Sequence, residues 1–309
     1  MNWTGVHPAV TTPFNADFTV DHDLLFRHMM WLLENGCSGL VMLGSLGEGA
    51  TLEQTEKCAI LRTAVRASQA KGTPVVAGVS SLSTNEAVRQ AKEAEQAGCS
   101  GLMVLPPYVY ASDWREMKAH VATVMGATGL PCMLYNNPIA YKTDFTPANM
   151  ADLAADVENF VAVKESSSDA RRAMAIREVV GNRLHISVGV DDIIVEAIAG
   201  GTRGWVAGLV NAFPRESVEL YDLALAGKFK ELFELYKWFL PLLRMDTVVK
   251  FVQLIKWVQE QMGCGSARVR PPRLELAGTD LKEAQQTLRR ALATRPAVRS
   301  TDFQVPQEA

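Results

Sequence analysis

The sequence lacks the features that mark several large classes of protein. Its 31 Lys and Arg residues against 34 Asp and Glu residues give a formal net charge of -3 at pH 7. Binding to nucleic acid or to an anionic membrane needs clustered positive charge, so neither partner is expected. No apolar window is long enough to cross a bilayer, and residues 1–8 lack the basic and apolar segments of a signal peptide. We therefore expect a soluble, cytoplasmic protein that binds a small molecule.

The chain is also poor in motifs that hold metals and nucleotide cofactors. Its five cysteines are odd in number and widely spaced, and they form neither a Cys-x-x-Cys pair nor a cluster with histidine. That pattern predicts buried, reduced thiols rather than a zinc site or disulfides. No Gly-x-Gly-x-x-Gly follows the first apolar run, so neither a metal nor a cofactor is predicted. The cysteines are Cys37, Cys58, Cys99, Cys132 and Cys264.

What the chain does contain is a repeat of short apolar, β-branched runs separated by segments with helical spacing. Continuous apolar strands alternating with helices predict a parallel sheet covered by helices, and eight units close into a (β/α)8 TIM barrel. A doubly wound open sheet is the alternative fold, but it ordinarily needs fewer strands. The eight runs are 6–14, 39–44, 74–80, 101–107, 131–138, 160–166, 185–191 and 204–211.

Helical patterns continue beyond the eighth run and exceed what one barrel unit requires. We therefore expect a barrel over residues 1–225, a C-terminal helical extension over 226–295 and a loose polar tail over 296–309. The predicted helices cover 21–34, 52–70, 83–97, 113–128, 146–153, 169–180, 192–199, 214–226, 229–243, 247–262 and 281–293.

Lys164 is the sharpest candidate for chemistry, because it ends the sixth run after three apolar residues. The carboxyl ends of the strands form the active face of such a barrel. Burial there lowers the pKa of an ammonium group and yields the neutral amine that attacks a carbonyl. A structural lysine paired with Glu48 or Glu165 is an equally good interpretation of the local sequence.

Other strand ends give weaker signals. Tyr135 ends the fifth run, where a phenol could transfer protons, although a packed aromatic residue with a satisfied hydroxyl is the commoner case. The glycines around Ser45 would let backbone amides approach a carboxylate. Asp191 and Asp192 are expected to be the N-cap and first-turn acid of the next helix rather than a metal site.

Six motifs, taken together in order and spacing, resemble the dihydrodipicolinate synthase and N-acetylneuraminate lyase family. The resemblance implies a TIM barrel with a helical extension, usually a homotetramer, in which Lys164 forms the Schiff base and Tyr135 transfers protons. The predicted substrate contacts are Ser45, Leu46, Gly47, Tyr108, Ser166 and Val206. The six motifs are Thr11–Phe14, Gly44–Glu48, Pro106–Tyr108, Tyr135–Pro138, Val163–Ser166 and Gly189–Asp192.

Two departures from the family pattern bear on the substrate. The family loop usually carries two hydroxyl residues, the second linked to the catalytic tyrosine, but here Leu46 follows Ser45. The synthases also carry an arginine where this chain has Ala140, and Lys142 would replace that bidentate carboxylate clamp only in part. Lysine biosynthesis is therefore disfavoured.

The predicted activity is dehydration or deamination of a 2-keto-3-deoxy sugar acid or of pyrroline-4-hydroxy-2-carboxylate. A pyruvate-dependent aldolase, including a dihydrodipicolinate synthase-like condensation, is the alternative within the family. Two hypotheses of other classes are a non-catalytic 2-oxo acid sensor and a phosphate-binding barrel. The latter would use Gly200, Gly201 and Gly204.

Overall fold

The computed structural model describes residues 1–297, and its centre is a closed ring of eight parallel strands. The hydrogen-bonded order is β1-β8-β7-β6-β5-β4-β3-β2, and a parallel bridge between Ala9 and Val41 joins the two ends. Every predicted apolar run overlaps one strand, so the predicted (β/α)8 barrel is confirmed. The strands are β1 Gly5–Pro8, β2 Leu40–Met42, β3 Val75–Val79, β4 Gly101–Val104, β5 Cys132–Asn136, β6 Phe160–Glu165, β7 His185–Val188 and β8 Gly204–Ala207.

Helices surround the barrel and continue past it. Those that alternate with the strands are α1 His22–Glu34, α2 Gln54–Gln69, α3 Thr84–Gln96, α4 Trp114–Met125, α5 Pro138–Tyr141, α6 Pro147–Asp156, α7 Arg172–Val180, α8 Ile194–Ala199 and α9 Pro214–Leu225. Three more follow, α10 Phe229–Leu243, α11 Phe251–Gln261 and α12 Gly278–Ala293. The sequence did not predict α5, because four residues are too few to show helical periodicity. Helix α11 begins four residues later than predicted, since residues 247–250 form a bend and a turn after the 3₁₀ turn Arg244–Asp246.

The helix starts follow from local chemistry. Ser83 caps α3 by accepting a hydrogen bond from the Glu86 amide at 3.2 Å. Thr146 caps α6 through the amide of Asn149 at 3.3 Å, and Pro147 takes the first helical position, where a missing N–H costs nothing.

Register decides which side chains face the barrel interior. Tyr135 in β5 pairs with Lys164 in β6, and Lys164 pairs with Ser187 in β7, so the three lie at one level. Residues in register on parallel strands point to the same side of the sheet. Trp3 lies under the amino-terminal end, where a Cβ added at Gly101 would come within 3.2 Å of its ring.

The C-terminal helices pack back onto the barrel. Trp238 of α10 donates to the Ala291 carbonyl of α12 at 2.9 Å. Lys256 of α11 reaches the loop after β2, where its ammonium donates to Glu48 at 2.8 Å. Most of the tail predicted for 296–309 lies outside the described residues. Within 1–297, no helix is long and apolar enough to cross a membrane.

Candidate active site

Lys164 lies inside the barrel near the carboxyl end of β6. Only 6% of the residue is exposed, and its Nζ lies 4.2 Å from the centre of the Tyr135 ring. The lysine stem passes over Gly189, where an added Cβ would overlap Cε of Lys164 and Oγ of Ser166. A glycine at 189 is therefore required for the lysine to take this position.

The electrostatic setting of Lys164 lowers the pH at which its neutral amine forms. Burial lowers the pKa of its ammonium to about 8, against smaller opposing effects of Asp246 and Asp191. Neither acid suggested by the local sequence is its partner. Glu48 pairs with a different lysine, and Glu165 accepts from Asn136 Nδ2 at 3.0 Å.

Tyr135 is buried beside this lysine and keeps its proton. Burial raises the pKa of its phenol, while a hydrogen bond from Asn137 Nδ2 at 3.1 Å works in the opposite direction. Ser166 is 2% exposed, and its hydroxyl also acts to lower the pKa of the Tyr135 phenol. A phenol and a serine hydroxyl are thus available close to the amine.

The loop after β2 places Ser45 opposite a second tyrosine that the sequence did not single out. Ser45 Oγ and the Tyr141 hydroxyl are hydrogen-bonded, and the Tyr141 ring meets the Tyr135 ring edge-on with centroids 5.8 Å apart. Leu46 is 3% exposed and packs in the same inner apolar cluster as Tyr135. Tyr141 belongs to the short helix α5, so its position depends on a turn that periodicity could not predict.

The prediction that Asp191 caps a helix was wrong. Its carboxylate is fully buried and accepts hydrogen bonds from Trp205 Nε1 at 3.0 Å, the Gly208 amide at 3.1 Å and the Leu209 amide at 2.7 Å. These donors belong to β8 and the turn after it, so Asp191 ties the ends of β7 and β8 together. Burial raises its pKa to about 6.

The remaining predicted contacts occupy different positions around this centre. Val206 is buried in β8 and faces inward with Tyr135. Gly47 packs so closely that an added Cβ would lie 2.8 Å from the Val10 carbonyl. Tyr108 is 39% exposed in the loop after β4.

No guanidinium stands at position 140, and the nearby cation does not replace it. Ala140 is exposed. The ammonium of Lys142 donates to the Ile139 carbonyl at 3.1 Å on the protein surface.

The glycines of the phosphate-binding hypothesis lie elsewhere. Gly204 begins β8, and Gly200 and Gly201 follow the end of α8, so all three are at the amino-terminal end of the barrel, away from Lys164. In the described part of the chain, no group of three or more His, Cys, Asp or Glu residues could hold a metal ion.

Comparison with known proteins agrees with this geometry. Residues 2–292 match the Dihydrodipicolinate synthetase family. The 4-hydroxy-tetrahydrodipicolinate synthase of Rhizobium meliloti is 32% identical over 270 residues, which cover 87% of this chain and 92% of that protein. The corresponding enzyme of Methanococcus maripaludis is 29% identical over 285 residues, covering 92% and 97%.

Solved structures show the same fold. The E. coli prophage protein YagE, described as a member of the dihydrodipicolinic acid synthase family and solved in complex with pyruvate, superposes with a TM-score of 0.88 at 26% identity, covering 94% of this chain and 99% of that one. The chain therefore belongs to the dihydrodipicolinate synthetase family, and it is an enzyme of the class I, Schiff-base-forming lyase type.

Proposed function

We propose that Lys164 forms a Schiff base with a small 2-oxo acid or cyclic imine acid, and that the enzyme then eliminates water or ammonia from the adduct. The observation that carries this proposal is the buried Lys164 amine, 4.2 Å from the Tyr135 ring, with no hydrogen-bonded carboxylate in residues 1–297. An unpaired buried amine is a nucleophile rather than a structural cation.

The chemistry needs one proton at each of two steps. The neutral amine of Lys164 adds to C2, one of its protons moves to the C2 oxygen, and the Tyr135 phenol donates a second proton to that oxygen, which leaves as water. The iminium then withdraws electrons from C3, and the Tyr135 phenolate accepts the C3 proton to give an enamine. Ser45 and the backbone amides of Leu46 and Gly47 would hold the substrate carboxylate during these steps.

Two features of the site favour elimination over condensation with a second substrate. Leu46 presents a buried apolar side chain beside Tyr135, so position 46 supplies no hydroxyl for proton transfer to or from the phenol. Ala140 offers no clamp for the carboxylate of a second substrate. A substrate that carries its own leaving group needs neither a hydroxyl at position 46 nor a carboxylate clamp at position 140.

Aldol chemistry with pyruvate is the second candidate, and the names of the relatives favour it. Both curated relatives described above are called 4-hydroxy-tetrahydrodipicolinate synthases, and YagE was solved with pyruvate. The same lysine and tyrosine would serve that reaction. A pocket that forms the adduct without turnover would instead be a sensor.

Borohydride trapping separates these possibilities. The protein is incubated with pyruvate or with a panel of 2-keto-3-deoxy sugar acids and 4-hydroxypyrroline carboxylates, reduced, digested and examined by mass spectrometry. We expect the adduct on the peptide that contains Lys164, and an ω-semialdehyde as the released product of the panel. Release of pyruvate from a panel member would support the aldolase, an adduct without product would support the sensor, and no adduct would refute Schiff-base chemistry.

A further inference from the structure

A carboxyl group from the C-terminal extension lies at the barrel mouth. Asp246 closes the 3₁₀ turn between α10 and α11, and a Cβ added at Gly208 would overlap its Oδ1. The carboxyl group therefore packs directly on the backbone that follows β8. When ionised, this carboxyl group acts on both Lys164 and Tyr135, and its influence on the lysine is larger than that of Asp191.

Ionising both Asp246 and Asp191 is unfavourable in free energy, because like charges in a buried setting repel. Asp191 accepts three hydrogen bonds, which stabilise its anion. Asp246 accepts none from the described residues, and burial together with Asp191 raises its pKa well above the usual value. Because Asp246 lacks within residues 1–297 the hydrogen bonds that stabilise the Asp191 anion, we infer that Asp246, a residue of intermediate burial, carries the proton of the pair.

The order of the strands sets the two proton-transfer groups apart. Tyr135 lies on β5, Lys164 on β6, and Asp246 packs against the turn after β8. Around the barrel, the Tyr135 phenol therefore lies on the β5 side of Lys164 and the Asp246 carboxyl group on the β8 side. Elimination can use two such groups, since the proton leaves C3 and the substituent leaves C4.

We propose that Asp246 is the general acid that protonates the leaving group on C4 of the Lys164 adduct, an inference that rests on the elimination proposed above. The enamine electrons form the C3–C4 double bond as the C4–O bond breaks, and the departing oxygen takes the Asp246 proton and leaves as water. The Asp246 carboxylate regains a proton from solvent. Water then hydrolyses the conjugated iminium, which frees Lys164 and the unsaturated 2-oxo acid.

The test compares leaving groups that do and do not need a proton. Asp246→Asn keeps the shape of the side chain and removes the acid. Loss of hydroxide from a 4-hydroxy-2-oxo acid should fall by about 10² to 10⁴-fold in this variant. Release of 4-nitrophenolate from 4-(4-nitrophenoxy)-2-oxobutanoate should change little, because that anion departs unprotonated. Exchange of the pyruvate C3 protons with deuterium, which involves no leaving group, should also persist.

Two further variants serve as a negative control and as an independent test of Asp246. Asp280→Asn removes an acid from α12 of the same extension, where Asp280 pairs with Lys250 on the surface, and should leave all three rates unchanged. Gly208→Ala keeps Asp246 but displaces its carboxyl group, and should reproduce the selective loss of hydroxide elimination.

The outcomes that contradict the role of Asp246 differ from the outcome that contradicts the elimination. Equal loss of hydroxide and nitrophenolate elimination in Asp246→Asn would show that Asp246 acts only on the lysine, and full retention of hydroxide loss would refute its role outright. Wild-type protein that exchanges pyruvate protons but eliminates neither leaving group would instead refute the proposed elimination itself.

Discussion

Two buried lysines in this protein share nearly the same surroundings and differ in their partners. The Nζ atoms of Lys164 and Lys256 lie 4.2 Å and 4.5 Å from the centres of the Tyr135 and Phe14 rings. Lys256 donates to Glu48 and to the Thr12 carbonyl, each at 2.8 Å. Lys164 makes no hydrogen bond within the described residues. Burial lowers the pKa of both groups, but only Lys256 has a hydrogen-bonded counter-ion to offset it.

The hydrogen-bond partners of the two lysines distinguish a structural cation from a candidate nucleophile. Burial alone does not distinguish them, because both side chains are almost inaccessible. Two acceptors, one of them a carboxylate, favour the charged form of Lys256 and a structural role, whereas Lys164 lacks such acceptors in residues 1–297 and can lose its proton more easily.

Replacing Lys164 should give the largest effect and tests directly whether this lysine is the nucleophile. Lys164→Met should abolish the trapped adduct and reduce turnover by about 10³-fold or more, because the covalent step has no substitute. Its midpoint of urea unfolding should not fall, since methionine removes an unpaired buried cation. Adduct formation in this variant would break the assignment.

The reverse should hold for Lys256. Lys256→Met removes the hydrogen-bonded counter-ion of the fully buried Glu48, leaving it the Arg273 guanidinium at 3.8 Å, and should lower the free energy of unfolding by about 3–5 kcal/mol. The double variant Glu48→Gln with Lys256→Met should recover part of that loss. Chemical denaturation measures both, and a stable single variant would contradict the structural role.

The pH dependence of adduct formation should report the protonation state of Lys164. The Lys164 pKa is lowered to about 8, so below that pH the ammonium form predominates. The rate of adduct formation with pyruvate should rise about tenfold per pH unit below the pKa and level off above it. A rate that does not depend on pH between 6 and 8 would indicate that another group limits the reaction.

The smallest expected effect concerns the second tyrosine. Tyr141→Phe removes the hydrogen bond to Ser45, which should weaken carboxylate binding by about 0.5–1.5 kcal/mol. We expect a several-fold rise in KM for pyruvate proton exchange with little change in kcat. A fall in kcat with unchanged KM would assign Tyr141 to proton transfer instead.

The sequence was sufficient for features that depend on neighbouring residues. The eight apolar runs show the strands directly, and Lys164 and Tyr135 each end one of them. Features made by distant contacts were missed or misread. The partner of Glu48 lies 208 residues away in the chain, Asp246 reaches the site only through the packing of the extension, and Asp191 bonds to the turn after β8 rather than to its own helix.

Because the C-terminal extension contacts the barrel mouth, replacing it with the extension of another family member should affect the reaction. The segment after α9 supplies Lys256, which neutralises the loop that carries Ser45, and Asp246, which borders the lysine. A chimera that grafts another relative's extension onto this barrel would therefore transplant part of the chemistry as well. Reaction preference in such hybrids should follow the graft, even though every strand and Lys164, the proposed Schiff-base residue, come from the recipient.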